Sequence, residues 1–135
     1  MKALLTSPFT VIGQSDGGAH VVFRTDYSYS TYLLSHWVRE KQIMPLEEAI
    51  RKMSSAVATR LAIPDRGVLK PGMFADVVIF DPNTIIDRAT YEQPKQISTG
   101  MRYVWVNGTL VWQNGRHTGA KPGRIIRGQG YTGTR

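Results

Sequence analysis

An aspartate followed by two glycines is the part of this sequence best suited to chemistry. Asp16 closely follows a short apolar run, Phe9–Gly13, and is itself followed by Gly17 and Gly18. A carboxylate at the end of a strand, beside glycines that let the backbone turn tightly, is one way in which α/β enzymes present an acid or a base. Asp-Gly pairs are also ordinary turn residues, so these residues alone favour a turn or helix-cap role over a catalytic one.

Two side chains on the loop after this turn could contact a substrate. Arg24 could bind a carboxylate through two parallel hydrogen bonds, and His20 could touch the same molecule, although a solvated arginine and a loop-ordering histidine are the more ordinary interpretations. The other two histidines, His36 and His117, are predicted to be structural. Ser15 and His20 do not form a serine-hydrolase pair, because the Gly-x-Ser-x-Gly elbow is absent.

A strand and two helices are predicted to position these residues. Residues 9–15 form an apolar run that indicates a buried strand, and the polar loop 16–28 follows it. Residues 29–40 are predicted to be helical, with an apolar stripe that includes Leu33 and Trp37. A second helix is predicted to begin at Pro45, to carry an apolar face through Leu61 and to end at Pro64.

Beyond residue 64 the pattern becomes that of short strands. Residues 67–72 indicate a strand stub and turn, and residues 75–80 a strand that Asp81-Pro82-Asn83 stops. Two further strands, 101–106 and 109–113, flank Asn107-Gly108, the strongest short hairpin signal, because both turn positions favour positive φ. The tail after residue 114 is predicted to be extended or loosely ordered.

The charge of the chain is concentrated at one end. Residues 1–92 carry ten acidic and ten basic side chains, whereas residues 93–135 carry seven basic side chains and no acidic one, which accounts for the net charge of +7. A basic segment with interspersed aromatic residues could bind nucleic acid, but its cations are scattered, so this alternative ranks last. The chain has no cysteine and no apolar stretch of the roughly 18 residues that span a bilayer, which predicts a soluble cytoplasmic protein.

Several segments together resemble one family. They are the SDGGAH sequence at 15–20, WVRE at 37–40, LEEA at 46–49, the stretch 65–82 with its Gly-x-x-x-Pro-Gly-x-x-Ala-Asp pattern, VNG at 106–108 and HTGAKPGR at 117–124. This set resembles the C-terminal part of N-acyl-D-amino-acid deacylases (D-aminoacylases), a branch of the metal-dependent amidohydrolase superfamily. The resemblance covers nearly the whole chain.

The resemblance implies an α/β plus β fold. Residues 1–65 would be the end of a (β/α)8 TIM barrel with its last βα unit, and residues 66–135 the C-terminal strands of a small β-sandwich with a basic tail. Asp16 would then lie at the catalytic end of the last barrel strand, could touch the metal, and would take a proton from the hydrolytic water and pass it to the leaving amine. His20 and Arg24 would be its candidate substrate-binding neighbours.

The family's His-x-His pair and its other metal-binding histidines have no counterpart here, since the chain has only three histidines and no His-x-His. The leading hypothesis is therefore the C-terminal fragment of a deacylase that hydrolyses N-acyl-D-amino acids with one or two divalent metal ions, zinc foremost. The fragment alone is expected to be inactive and to bind metal weakly or not at all. The alternative is a non-catalytic α+β remnant that self-associates. The expected macromolecular partner is a second copy of the chain, in a homo-oligomer, or the missing N-terminal part.

Overall fold

The computed structural model describes residues 1–17 and 26–133, and within them helices come first and a sheet follows. Helix α1 (Lys2–Thr6) is short and largely exposed. A 3₁₀ turn (Asp26–Ser28) leads into α2 (Tyr29–Tyr32), which continues as a π-helix over Leu33–Glu40. Helices α3 (Leu46–Met53) and α4 (Ser55–Arg60) complete the helical part.

The predicted apolar stripe of the first long helix is confirmed as core. Leu33 and Leu34 are buried together with Met44, Ala49 and Ile85. Trp37 and Val38 pack against this cluster. Arg39 joins the π-helix to the segment after the first strand, because it donates hydrogen bonds to the carbonyl oxygens of Ile85 at 2.6 Å and Pro82 at 3.1 Å. The helices and the sheet therefore share one core.

The second predicted helix is two helices, which corrects the continuous helix expected up to Pro64. Ser54 interrupts it with φ −126° and ψ −89°, and its hydroxyl donates to the Ile50 carbonyl oxygen at 2.6 Å. A serine side chain that bonds the carbonyl four residues back competes with the backbone ladder and bends or breaks helices. Helix α4 ends at Arg60, and Ala62 has φ 52°, so the chain has left the helix before Pro64.

The strand predicted at residues 9–15 does not form. These residues adopt no regular structure, and Phe9 is 85% exposed. A strand needs neighbours for its hydrogen bonds, and among the described residues this segment has none beside it. The backbone is instead held by helix α3, whose Lys52 carbonyl accepts a hydrogen bond from the Ile12 N–H at 3.2 Å.

The sheet has four antiparallel strands in the order β1-β2-β3-β4. They are β1 (Val77–Phe80), β2 (Met101–Val106), β3 (Thr109–Gln113) and β4 (Arg116–His117). The predicted hairpin is confirmed, because Asn107 and Gly108 have φ 50° and 78° as a type I′ turn requires. Residues 67–72 form turns and bends without the predicted strand stub. The tail that was predicted to be extended or loosely ordered contains β4, and its described part from 118 to 133 contains no further strand.

Asp81 stabilises the turn that ends β1. Its Oδ1 accepts a hydrogen bond from the Asn83 N–H at 2.9 Å. This bond first, and the Thr84 hydroxyl second, lower the pKa of the Asp81 carboxyl below its ordinary value. Because the folded-state pKa is the lower one, the stabilisation is present above the unfolded-state pKa and is lost as the pH falls through the folded-state pKa.

We expect the urea midpoint of Asp81→Asn to change less than that of the native chain as the pH falls through the folded-state pKa of Asp81. An equal dependence of the two midpoints on pH would contradict a stabilising role for this carboxylate.

No helix in the described part of the chain is long and apolar enough to cross a bilayer.

Candidate active site

Asp16 lies on the surface, tied to the first turn before α2. Its backbone N–H donates to Asp26 Oδ2 at 3.3 Å, and the next N–H, that of Gly17, donates to Ser15 Oγ at 3.1 Å. Asp16 itself is exposed. Both aspartates fall in the predicted polar loop 16–28, and the structure brings them together. The carboxylate is thus presented to solvent on a backbone that is fixed at this point.

The glycine after Asp16 is required by a close contact. A Cβ at position 17 would lie 2.9 Å from ring atoms of Tyr27, so an alanine there would force the ring away. The glycine therefore makes room for Tyr27, the neighbour of Asp26 in the chain. His20 and Arg24, the candidate substrate-binding residues, lie outside the described residues.

The described residues do not form a metal site by themselves. Within 1–17 and 26–133, no three His, Cys, Asp or Glu side chains converge as metal ligands would. His36 lies on the π-helix, where Nδ1 is 2.9 Å from Glu40 Oε2, and His117 Nδ1 accepts from the Gly119 N–H at 2.8 Å. Asp16 remains the one predicted ligand in this part of the chain, so a complete metal site needs residues from elsewhere.

A buried lysine beside this segment was missed by the sequence analysis. Lys52 is fully buried on α3, and its Nζ donates to the carbonyl oxygens of Ser7 at 2.6 Å and Thr10 at 2.8 Å. A lysine in the last turn of a helix normally faces solvent and the helix dipole. The available signal was its position three residues after Ala49, on the buried side of α3.

The motif residues 66, 76 and 107 form one hydrogen-bonded cluster. Arg66 donates through Nη1 to Asp76 Oδ2 and through Nη2 to Asn107 Oδ1. Asp76 Oδ1 accepts from the Asn107 N–H at 2.8 Å. The Arg66 side chain is only 13% exposed. These polar residues join the segment before β1 to the β2–β3 turn, which is a structural role.

The same cluster fastens the tail. Asn107 Nδ2 donates to the Pro122 carbonyl oxygen at 2.6 Å. The guanidinium carbons of Arg66 and Arg124 lie 4.4 Å and 5.7 Å from the centre of the Phe74 ring, within the range of cation–π attraction. Three of the segments that suggested the family, 65–82, 106–108 and 117–124, are therefore neighbours in space.

Arg66→Met should destabilise the chain by about 2 kcal/mol, because it leaves Asp76 and Asn107 without their shared donor. Urea unfolding of the purified chain measures this loss. Arg51→Met is the matched control: Arg51 pairs with Glu48, whose carboxyl pKa this hydrogen bond lowers, but the Arg51 side chain is 49% exposed. That change should leave the urea midpoint nearly unchanged, because solvent screens an exposed ion pair. Equal losses in the two variants would contradict a structural role for the Arg66 cluster.

An apolar cavity of about 740 Å³ opens between the helices and the edge strand β1. Its lining is mostly apolar and includes Leu34, Ile50, Leu69, Val78 and Met101. Leu69 is 79% exposed and Val78 50% exposed. Asp16 is not among its lining residues, so the cavity and the candidate catalytic carboxylate are separate features.

Comparison with known proteins places this geometry in a family. The amidohydrolase family model matches residues 1–112. The D-aminoacylase of Alcaligenes xylosoxydans xylosoxydans is 40% identical over 119 residues, which are 87% of this chain and 24% of that protein. The N-acyl-D-aspartate deacylase of the same organism is 38% identical over 129 residues, 93% of this chain and 26% of that protein.

Solved structures agree with the sequence comparison. A D-aminoacylase point mutant in complex with CuCl2 superposes with a TM-score of 0.70 at 38% identity and covers 72% of this chain and 20% of that one. The N-acyl-D-glutamate deacylase of Bordetella bronchiseptica, complexed with zinc and a phosphonate mimic of the tetrahedral intermediate, gives 0.61 at 43% identity, covering 64% and 18%.

A helical unit joined to a small antiparallel sheet, with an aspartate on the helical side, is therefore part of an amidohydrolase fold. The chain belongs to the amidohydrolase family. Its relatives within that family include D-amino-acid deacylases, and it spans about a quarter of the length of the two curated relatives described above.

Proposed function

We propose that this chain is the C-terminal part of an enzyme that hydrolyses the amide bond of N-acyl-D-amino acids. The observation that carries the proposal is sequence identity of 38–41% to three deacylases named for D-amino-acid substrates. The SDGGAH sequence around Asp16 supports it, since this segment suggested the same branch of the family. The activity belongs to the longer protein, and the 135-residue chain alone should lack it.

Asp16 is the proposed proton carrier. As a carboxylate it would accept a proton from the attacking water, and as a carboxylic acid it would return that proton to the nitrogen of the leaving amine. Its exposure and the hydrogen bond of its N–H to Asp26 support this role, because a proton carrier must reach solvent and substrate from a fixed backbone. His20 and Arg24 are the proposed substrate contacts.

The proposed cofactor is a divalent metal ion, with zinc favoured by its presence in the N-acyl-D-glutamate deacylase structure. Such an ion would polarise the amide carbonyl and acidify water. Of the described residues only Asp16 is a proposed ligand, so the remaining ligands would come from another part of the longer enzyme.

We propose that residues 1–65 complete a barrel domain and residues 66–135 a β-sandwich. The exposed apolar lining of the cavity beside β1 supports this arrangement, because such a surface is expected to pack against the rest of the longer protein. When the chain is alone, the same surface would pack against a second copy. Light scattering of the purified chain tests the second arrangement: a stable monomer would contradict self-association.

A chimaera tests the proposed activity. The matching segment of the A. xylosoxydans D-aminoacylase is replaced by this chain, and hydrolysis of N-acetyl-D-leucine is measured with zinc. We expect turnover by the chimaera and none by the isolated chain under the same conditions. Robust turnover by the isolated chain, or a folded and zinc-loaded chimaera without turnover, would contradict the proposal.

A further inference from the structure

The ammonium group of Lys52 is the most completely enclosed charge among the described residues. The residue is 0% exposed, and its Nζ lies 2.6 Å from the Ser7 carbonyl oxygen, 2.8 Å from that of Thr10 and 3.5 Å from Thr10 Oγ1. A buried ammonium is strongly unfavourable unless its protons are hydrogen-bonded. Lys52 therefore has to hold these oxygens close wherever α3 is folded.

The segment held in this way leads directly to Asp16. The Ile12 N–H donates to the backbone carbonyl oxygen of Lys52 at 3.2 Å, so side chain and backbone of one residue hold Ser7, Thr10 and Ile12 on α3. Ile12 also packs against the core. Four residues later, the Asp16 N–H donates a hydrogen bond to Asp26, the first residue of the 3₁₀ turn before α2.

Asp16 is thus carried on a short span between two attachment points. Lys52 provides the first at residues 7–12, and Asp26 provides the second at residue 16. Of the residues between them, Gly13 and Gln14 are exposed, and Ser15 is half-buried with its Oγ accepting a hydrogen bond from the Gly17 N–H. No strand ladder holds this span within the described chain, and the hydrogen bonds to Lys52 and Asp26 attach it to the helical part.

We infer that Lys52 is a positioning residue for the Asp16 carboxylate. The inference rests on the proposed function of Asp16 and adds that the enzyme's proton carrier is placed by a buried ammonium on a neighbouring helix. Loss of that ammonium should displace residues 7–16 while α3 stays folded. Misplacement of a reacting group by about 1 Å lowers the rate of the chemical step by up to about 100-fold.

The first test uses the 135-residue chain and does not involve activity. In Lys52→Met the Ile12 amide should exchange with deuterium at least about tenfold faster, while amides in β2 and β3 keep their rates. Lys41→Met, at an exposed lysine just after the π-helix, is the control and should change neither. If Lys52→Met does not fold, Lys52→Gln, which keeps a donor, is measured in the same way.

A chemical rescue experiment separates the effect of the Lys52 charge from the effect of its side-chain packing. The chain has no cysteine, so Lys52→Cys can be alkylated selectively with bromoethylamine in the unfolded state and then refolded. The product carries an ammonium on a side chain of lysine's length. We expect it to restore slow exchange at Ile12. Failure of every replacement to alter exchange at Ile12 would overturn the inference.

The second test uses the chimaera and separates the inference from the proposed function. Lys52→Met should lower kcat about 10- to 100-fold with KM changed less than about twofold, because substrate contacts are kept and the proton carrier is displaced. If Asp16→Asn abolishes turnover and Lys52→Met leaves kcat unchanged, the inference is wrong and the proposed function stands. If Asp16→Asn leaves turnover intact, the role of Asp16 is wrong and the inference falls with it.

Discussion

Asp16→Asn in the chimaera should lower kcat for N-acetyl-D-leucine by about 1,000-fold. An amide has nearly the shape of a carboxylate but cannot accept and return the proton, and general acid–base catalysis contributes about 100- to 10,000-fold. KM should change little, since Asp16 is proposed to move a proton and not to hold the substrate. Steady-state kinetics with zinc present measures both constants.

The control for this prediction is His117→Asn. His117 is an exposed residue on β4 whose imidazole accepts a hydrogen bond from the Gly119 N–H, so kcat should stay within about twofold. A kcat for Asp16→Asn within tenfold of the unmodified chimaera would contradict a proton-transfer role. Equal losses in both variants would indicate damage to the fold instead of the chemistry.

Gly100→Ala should destabilise the 135-residue chain by about 3 kcal/mol or more. Gly100 has φ +91°, and a Cβ there would collide with Ile85 Cα and lie 2.5 Å from Ile85 N. The colliding atoms are backbone of a residue that is 1% exposed, so no side chain can rotate away. Left-handed strain of about 1–2 kcal/mol adds to the steric displacement of the core. Urea unfolding measures the total.

Gly108→Ala measures the backbone strain without the steric collision, so the difference between the two variants gives the steric part of the loss. Gly108 has φ +78°, but a Cβ there would meet nothing within 4 Å. We expect a loss of about 1 kcal/mol from the backbone strain alone. If the two alanine variants were equally destabilised, the close approach of Gly100 to Ile85 would not be important for stability.

Local signals predicted much of the fold. The Asn107-Gly108 turn could be predicted because it depends on the φ preferences of two residues. The buried stripe with Leu33 and Trp37 could be predicted because its apolar residues recur at helical spacing. The family resemblance was carried by segments around 15–20, 65–82 and 117–124. The structure shows how the last two meet: Arg66 and Asp76 bond to Asn107, whose side chain donates to the Pro122 carbonyl oxygen in the tail.

The errors arose where tertiary contacts decide the structure. Residues 9–15 have the composition of a strand, but strand formation depends on neighbours, and here a lysine side chain holds the backbone in their place. Burial of Lys52 cannot be deduced from its type, which is usually solvent-exposed. The apolar spacing of this segment favours one continuous helix. The break at Ser54 arises because its hydroxyl donates to the Ile50 carbonyl oxygen, and that contact cannot be deduced from the spacing.

The measurement that tests the central claim most directly is the ratio of kcat/KM for N-acetyl-D-leucine to that for N-acetyl-L-leucine, determined with the zinc-loaded chimaera. A deacylase site completed by this chain should hydrolyse the D enantiomer with a clear preference over the L enantiomer. A folded, zinc-loaded chimaera that hydrolyses neither enantiomer, or both equally, would contradict the claim that this chain is the C-terminal part of an N-acyl-D-amino-acid deacylase.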